Sequence, residues 1–311
     1  MSGGAPSALR GRRIVVTGAS GQIAGALAQR LARDNEVFGV ARFGDEARRA
    51  QLEAAGVRAV AVDLVGDDYS ALPRGIDVVL HLAASLGPDA DTERSMQLNA
   101  VSTGRVISHY REVDAILVMS TGGVYRAHPD PWHRYVETDP LGDPASPASP
   151  AYGVTKVAQE AVARFCAREF GVRVVIGRMN ASFGPGGGMP ARHVDRILTG
   201  EPIVVRGDPL PFSPIFEDDI ADHLGPLLAA ASDRGAVVNF GGDEVVTVQE
   251  WCALIGELLS RTPRFAVVPL PGSQPGVAFD IARRQSLTGP DPTGWRRGME
   301  LTVAARAGAA K

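Results

Sequence analysis

The chain has 311 residues, 45% of them hydrophobic, which is long for one domain and suggests a main domain with a smaller appended one. Its net charge of -3, with both signs interspersed, argues against a nucleic-acid or membrane-surface partner and leaves a small molecule as the expected ligand. Cys166 and Cys252 lie in apolar helical patterns as core thiols, no metal-ligand spacing is present, and no run reaches the ~18 apolar residues of a membrane span, so a cytoplasmic protein is expected.

Residues 1–12 are small and polar, then basic, and are predicted to be disordered. The apolar run 13–17 fits a buried parallel strand. Gly18-Ala19-Ser20-Gly21-Gln22-Ile23-Ala24-Gly25 follows at once, and then a helix with Ile23, Leu27 and Leu31 on one face. Strand, glycine turn and helix in that order are the context of a dinucleotide site. Gly18 permits the tight turn and Gly21 lets the backbone approach a pyrophosphate. Ala24 allows close helix packing, and the helix start, with Ser20, Gln22 and Ile23, attracts the anion. A second strand, 36–41, ends at Arg42, where an acidic residue would hold a ribose 2′-hydroxyl. A guanidinium there pairs with a 2′-phosphate, so NADP(H) is preferred, with NAD(H) still possible.

A third strand, 57–62, leads into Asp63 and Leu64, and a fourth, 76–82, into Leu82, Ala83, Ala84 and Ser85. The small residues there leave room for a cofactor crossing the strand ends, with Ser85 facing the substrate. His81, flanked by apolar residues, reads as structural. A helix over 91–110 carries Asn99 in line with Met96, Thr103 and Ile107, and a buried amide needs partners. It is either structural glue or a residue that positions catalytic water or the active-site helix. The fifth strand, 114–119, delivers Ser120, Thr121, Gly122 and Gly123 to the crevice where open α/β sheets bind ligands. Thr121 is placed to donate to a substrate carbonyl. Residues 126–150 read as a long ordered loop of functional length.

Tyr152 and Lys156 stand four apart at the start of the next helix, hence on one face. A neighbouring cation favours a phenolate and draws the tyrosine pKa down toward working pH, where an acid or base is most useful. A sixth strand, 173–178, follows, after which the alternation relaxes. Residues 13–185 and 213–241 are expected to form the dinucleotide-binding domain, and 186–212 with 242–305 a smaller substrate lobe. The sequence Thr247–Glu250 fits a capping box. The tail from Ala304 is expected to fray.

With Gly18, Gly21, Ala24, Asn99, Thr121, Tyr152 and Lys156 in this order, the chain resembles the extended short-chain dehydrogenase/reductases, the epimerase/dehydratase group. Phe183-Gly184-Pro185 and Asp218-Asp219-Ile220-Ala221 extend the likeness. The resemblance implies a doubly wound parallel Rossmann sheet, hydride transfer through nicotinamide contacted also by Phe183, a substrate held between the lobes, and a homodimer. Two departures matter. An Asn that holds a substrate diphosphate in such enzymes is replaced by Ala181, with Asn180 one residue early, and an Arg before the returning strand is replaced within Phe212-Ser213-Pro214. Arg192 or Arg206 would have to substitute. The acidic residue that dehydratases place after the threonine is glycine here, at Gly122 and Gly123, which disfavours dehydration. Reduction, oxidation and epimerisation remain, as does a cofactor sensor without turnover.

Overall fold

The computed structural model describes residues 9–66, 68–85, 92–142, 144 and 151–309. The expected disorder of residues 1–8 and nearly all of the Pro/Ala/Ser stretch 143–150 lie outside this set. Ordered chain begins earlier than expected. The Gly11 amide donates to the Asp34 carbonyl at 2.8 Å and the Arg12 amide to Asn35 Oδ1 at 3.0 Å.

Strands β1 (Arg13–Thr17), β2 (Glu36–Ala41), β3 (Arg58–Ala61), β4 (Val78–His81), β5 (Ala115–Thr121), β6 (Val174–Met179) and β7 (Ala236–Phe240) form one sheet in the order β7-β6-β5-β4-β1-β2-β3. β1 pairs in parallel with both β2 and β4, β2 with β3, and β4 with β5. The inner strands are buried along their length, as in Ile14, Val15 and Val16 or Ile116, Leu117 and Val118. That continuous burial, rather than alternation, is what covering helices on both faces demand. Strand order reverses between β1 and β4, so the crevice of a doubly wound sheet lies at their carboxyl ends.

Helix α1 (Gln22–Leu31) buries Ala24, Leu27, Ala28 and Leu31. Ile23, expected on that face, is partly exposed at the first turn. The sequence reading passed over α2 (Glu46–Ala54), which buries only Leu52 and so shows no apolar face. Its start is fixed by Asp45, whose carboxylate accepts from the amides of Ala47 and Arg48. The single helix expected over 91–110 is α3 (Thr92–Met96) running through a π-helical stretch (Gln97–Val101) into α4 (Ser102–His109). Helix α5 (Tyr152–Phe170) stops at Gly171, whose φ of 65° is the left-handed C-cap that glycine adopts freely.

Contacts divide the chain into two units. Met1–Thr121, Pro147–Arg178 and Ala221–Val238 form the first, and Gly122–Ser146, Met179–Ile220 and Asn239–Lys311 the second. Gly122–Ser146 therefore groups with the second unit, not with the dinucleotide-binding part to which the sequence reading gave it. The second unit has its own core, in which α6 (Met189–Thr199), α8 (Val248–Leu259) and α10 (Gly294–Ala309) bury Val194, Trp251, Ile255, Trp295 and Met299. Thr247 and Glu250 form the expected capping box. The tail does not fray at Ala304. Helix α10 continues to Ala309, with Arg306 paired to Asp195 through Nε and Oδ1 at 2.7 Å.

Candidate active site

The glycine turn after β1 is shaped by close approach. Gly18 has a φ of 73°, and a Cβ on it would lie 2.8 Å from Ala83 Cα, so the loops that follow β1 and β4 meet where only a hydrogen fits. Gly21 is the N-cap of α1 and supplies no side-chain cap, so no side chain at that position claims the first amides of the helix. Ser20 and Gly21 are exposed and Gln22 is partly so. Ala24 is buried on the packed face of α1, and its neighbour is packed closely too, since a Cβ on Gly25 would sit 2.9 Å from the Ala19 carbonyl oxygen. These features fit a dinucleotide pyrophosphate: a cradle that a side chain would fill, at the positive end of a helix dipole.

Arg42 is exposed beyond β2 and makes no hydrogen bond or ion pair among the described residues. Sequence reasoning missed Arg48. From α2 its Nη2 reaches the Gly21 carbonyl at 3.4 Å, which puts a second guanidinium beside the glycine turn. Asp63 is exposed and accepts from the Val65 amide at 3.1 Å, while Leu64 is buried. The amides of Leu82 and Ala83 both donate to Thr17 Oγ1, at 3.1 and 3.2 Å, and Ala84 stays partly exposed.

A buried polar chain organises the strand ends. Fully buried His81 bonds Thr17 Oγ1 through Nδ1 at 2.8 Å and Thr103 Oγ1 through Nε2 at 2.9 Å. Gln159 of α5 donates to the same Thr103 hydroxyl at 3.0 Å. Asn99 lies in the π-helical stretch. Its Oδ1 accepts from the Ser85 amide at 2.8 Å and its Nδ2 donates to Thr155 Oγ1 at 2.9 Å. Both ends of that amide are engaged, so Asn99 fixes the loop after β4 against α5. A π-bulge shifts the register of a helix and recurs at functional sites.

Thr121, Tyr152 and Lys156 come together in the first unit. The side chains of Thr121 and Tyr152 are hydrogen-bonded. Lys156, 2% exposed, donates from Nζ to the Met119 carbonyl at 2.5 Å and stands 5.8 Å from the centroid of the Tyr152 ring. The expected lowering of the tyrosine pKa is overturned. Burial pushes Tyr152 up to about 12, opposed by the Thr121 hydrogen bond. Lys156 is pulled down to about 7 by burial, opposed by the charge of Glu160. Desolvation thus outweighs the hydrogen bond, and Tyr152 keeps its proton at neutral pH.

In the second unit the expected contacts divide. Gly122 has no room for a side chain, as a Cβ would lie 2.6 Å from Val277 Cγ1 and 2.8 Å from Phe279 Cζ, and Gly123 follows it in a short 3-10 turn. Phe183 is 1% exposed and packs against Phe216, so its ring belongs to the core and only its backbone can meet a ligand. Ala181 is buried. Asn180 is consumed by backbone: Nδ2 donates to the Val277 carbonyl at 2.7 Å, and Oδ1 accepts from the amides of Ala181 and Ser213 at 2.8 and 2.9 Å. Phe212 packs on Trp251, with ring centroids 5.9 Å apart. Arg192 is exposed on α6, and Arg206 is half-buried, its pKa lowered by that burial.

A phenol and an ammonium at the end of a central strand, in a sheet whose switch point carries a phosphate cradle, are the equipment of nicotinamide chemistry, and the chain is an NAD(P)-dependent enzyme of the short-chain dehydrogenase/reductase type. More narrowly, it belongs to the NAD dependent epimerase/dehydratase family, whose profile it matches over residues 14–241. A dTDP-4-dehydro-6-deoxy-D-allose reductase of a Streptomyces species is 27% identical to it, over 94% of this chain and 95% of that one. Among solved structures, MoeE5 in complex with UDP-glucose and NAD is 25% identical with a TM-score of 0.80, covering 96% of this chain and 100% of that one. UDP-glucuronic acid 4-epimerase from Bacillus cereus, at 23% identity, 96% and 99% coverage and a TM-score of 0.82, shares the fold.

The state of His81 has a consequence for stability. Burial, then the charge of Lys156, lowers its pKa from 6.5 to about 3. The unfolded chain therefore binds more protons between those values, and stability is lost as pH falls from 6.5 toward 3. His81→Gln should be less stable at neutral pH by roughly 1–3 kcal/mol through weakened buried bonds. It should also show a shallower loss on acidification, read from urea midpoints across that window. An unchanged slope would mean that His81 is not the neutral group described.

Proposed function

We propose that the protein is an NADP(H)-preferring oxidoreductase acting on a secondary alcohol or ketone of a sugar, or of a sugar-like or natural-product intermediate. The observation that carries this reading is the joined group of Thr121, Tyr152 and Lys156 at the end of β5. In the reductive direction Thr121 orients the carbonyl by donating to its oxygen, and Tyr152 gives its proton to the alkoxide as that oxygen gains charge. Lys156 stabilises the phenolate left behind. When bound, the nicotinamide supplies the hydride in reduction and accepts it in oxidation. The glycine turn, the start of α1 and the loop after β4 would hold the dinucleotide. Tyr152→Phe removes the phenolic hydroxyl and should cut turnover by about 10²–10⁴-fold while leaving nicotinamide affinity within about twofold, measured by steady-state kinetics and fluorescence titration. Undiminished turnover would remove Tyr152 from the chemistry and favour a sensor.

Preference for NADP(H) rests on Arg42, exposed and without a partner among the described residues, with Arg48 nearby at the glycine turn. The neighbouring structures named above are complexes with NAD, so the preference rests on these guanidiniums alone. Arg42→Asp should lower the ratio of kcat/KM for NADPH over NADH by about 10–100-fold, the worth of one or two charge-assisted bonds. A ratio that stays put, or that already favours NADH in the wild type, would overturn it.

The relatives act, by their names, on dTDP- and UDP-sugars. Support for a diphosphate contact is weaker in this chain, because the Asn180 amide is engaged by backbone and Phe212 stands where an arginine would serve. Arg192 and Arg206 are the cations left for an anionic group. Epimerisation, oxidation followed by return of hydride to the opposite face, is the second reading. It uses the same side chains, and the crowding at Gly122 leaves no place for the acid of a dehydratase. A nucleotide retained through purification, with no net nicotinamide consumption, would favour it.

A cytoplasmic homodimer completes the proposal. Among the described residues no helix is long and apolar enough to cross a membrane. Along α5, Val154, Val157, Ala158, Ala161, Val162 and Phe165 repeat at helical spacing on the less buried face, with Phe165 62% exposed. An apolar stripe of this length is suited to a second copy. Phe165→Glu should convert the dimer to monomer in light scattering, and a wild type that is already monomeric would remove the inference.

A further inference from the structure

Lys156 and the terminal Lys311 are the only lysines in a chain with 32 basic residues. Arginine fills every other cationic position. An arginine never loses its charge in a protein, whereas a buried amine does so readily. What surrounds Lys156 therefore decides whether it is a cation at all.

One helical turn beyond it, α5 carries Glu160, 2% exposed and fully engaged. Arg178 of β6, 1% exposed, donates from Nε to Oε1 at 3.0 Å and from Nη2 to Oε2 at 2.8 Å, and Ser120 Oγ donates to Oε1 at 2.6 Å. Ser120 lies between Met119, whose carbonyl receives Lys156, and Thr121, whose hydroxyl bonds Tyr152. Three consecutive residues of β5 thus hold three positions of α5 spaced one turn apart. A buried ion pair is weak support for stability, since a well-packed apolar pair often does as well. Its presence beside the catalytic group asks for another role.

We propose that Glu160, clamped by Arg178 and Ser120, is a positioning residue for Tyr152 and Lys156, locking β5 against α5 in register and supplying the carboxylate that keeps the Lys156 amine charged. This rests on the reading of Tyr152 and Lys156 as the catalytic pair. Among the described residues, the titratable groups that interact with the amine are Tyr152 and Glu160 on α5 and His81 on β4, while Arg178 of β6 is committed to Glu160. His81 is neutral and Tyr152 is protonated. Glu160 is the carboxylate of the set and the group that opposes the downward pull of burial on Lys156.

The test is read on the lysine. Lysine-selective nitrogen-15 labelling of the full chain yields at most two ammonium signals, and Lys156→Met assigns the one that matters. In Glu160→Gln the pH midpoint of the Lys156 signal should fall by about one pH unit or more, a tenfold loss of proton affinity. Glu160→Asp, which keeps the charge, should stay close to wild type. A folded Glu160→Gln with an unchanged midpoint overturns the proposal, and so does a Glu160→Asp that shifts as far as the Gln variant. If Glu160→Gln leaves Arg178 unpaired and does not fold, the double variant Glu160→Met/Arg178→Met removes both charges together and is titrated in its place. A lowered midpoint there supports the proposal and an unchanged one sinks it. Turnover does not enter this reading. A protein inactive on every sugar tested would defeat the functional assignment and leave the Lys156 result standing.

Discussion

Placing an amine in a dry interior is the constraint on which the rest of this structure depends. Lys156 is almost completely buried, and desolvation of an isolated charge favours loss of its proton. The protein answers with a carbonyl at 2.5 Å and a carboxylate one helical turn away. The first acts by a hydrogen bond and the second through its charge. Both are set by the register of β5 and α5, so the electrostatics of one side chain become a requirement on two elements of secondary structure.

That register has a second support. Thr17, His81, Thr103, Gln159, Asn99 and Thr155 form hydrogen-bonded links from the ends of β1 and β4 through the π-helical stretch to α5. In a low-dielectric interior such links are strong when complete and costly when broken. They also explain why Asn99 sits in a π-bulge: Asn99 must face Ser85 and Thr155 together, and its carbonyl accepts from Thr103 Oγ1 at 2.7 Å. Its bonds join the loop after β4 to α5. The Gln159 Oε1 atom, buried without a hydrogen-bond partner among the described residues, is the weak point of the network.

Much of this was legible in the sequence where physics leaves a local mark. Apolar runs became buried strands, the glycine turn became a cradle at the switch point, and Thr247–Glu250 became a capping box because each is decided by neighbours in the chain. Three things were not. Helix α2 buries one residue and shows no amphipathic period, so Arg48 had no element to stand on. Gly25 shares the close packing with Ala24, which is set by an oxygen six residues upstream. The direction of the Tyr152 shift was misread because spacing reveals a nearby cation and not the burial that outweighs it. Phe183 shows the same limit, since a motif position does not say whether its ring faces a ligand or a core.

The departures from the family pattern have physical causes that bear on chemistry. Glycine at 122 is required by Val277 and Phe279, whose atoms would lie within 3 Å of any Cβ there. A carboxylic acid therefore cannot be restored at position 122 without repacking its neighbours. Asn180 likewise ties its own segment to Ser213 and Val277. An amide that satisfies three backbone groups cannot turn toward a phosphate without leaving them unsatisfied, at a cost of about 1–3 kcal/mol for each buried group. The hydroxyl, phenol and amine of the family pattern are all present at Thr121, Tyr152 and Lys156, whereas positions 122 and 180 serve packing and backbone bonds. The departures therefore fall outside the group that the proposed proton transfer uses.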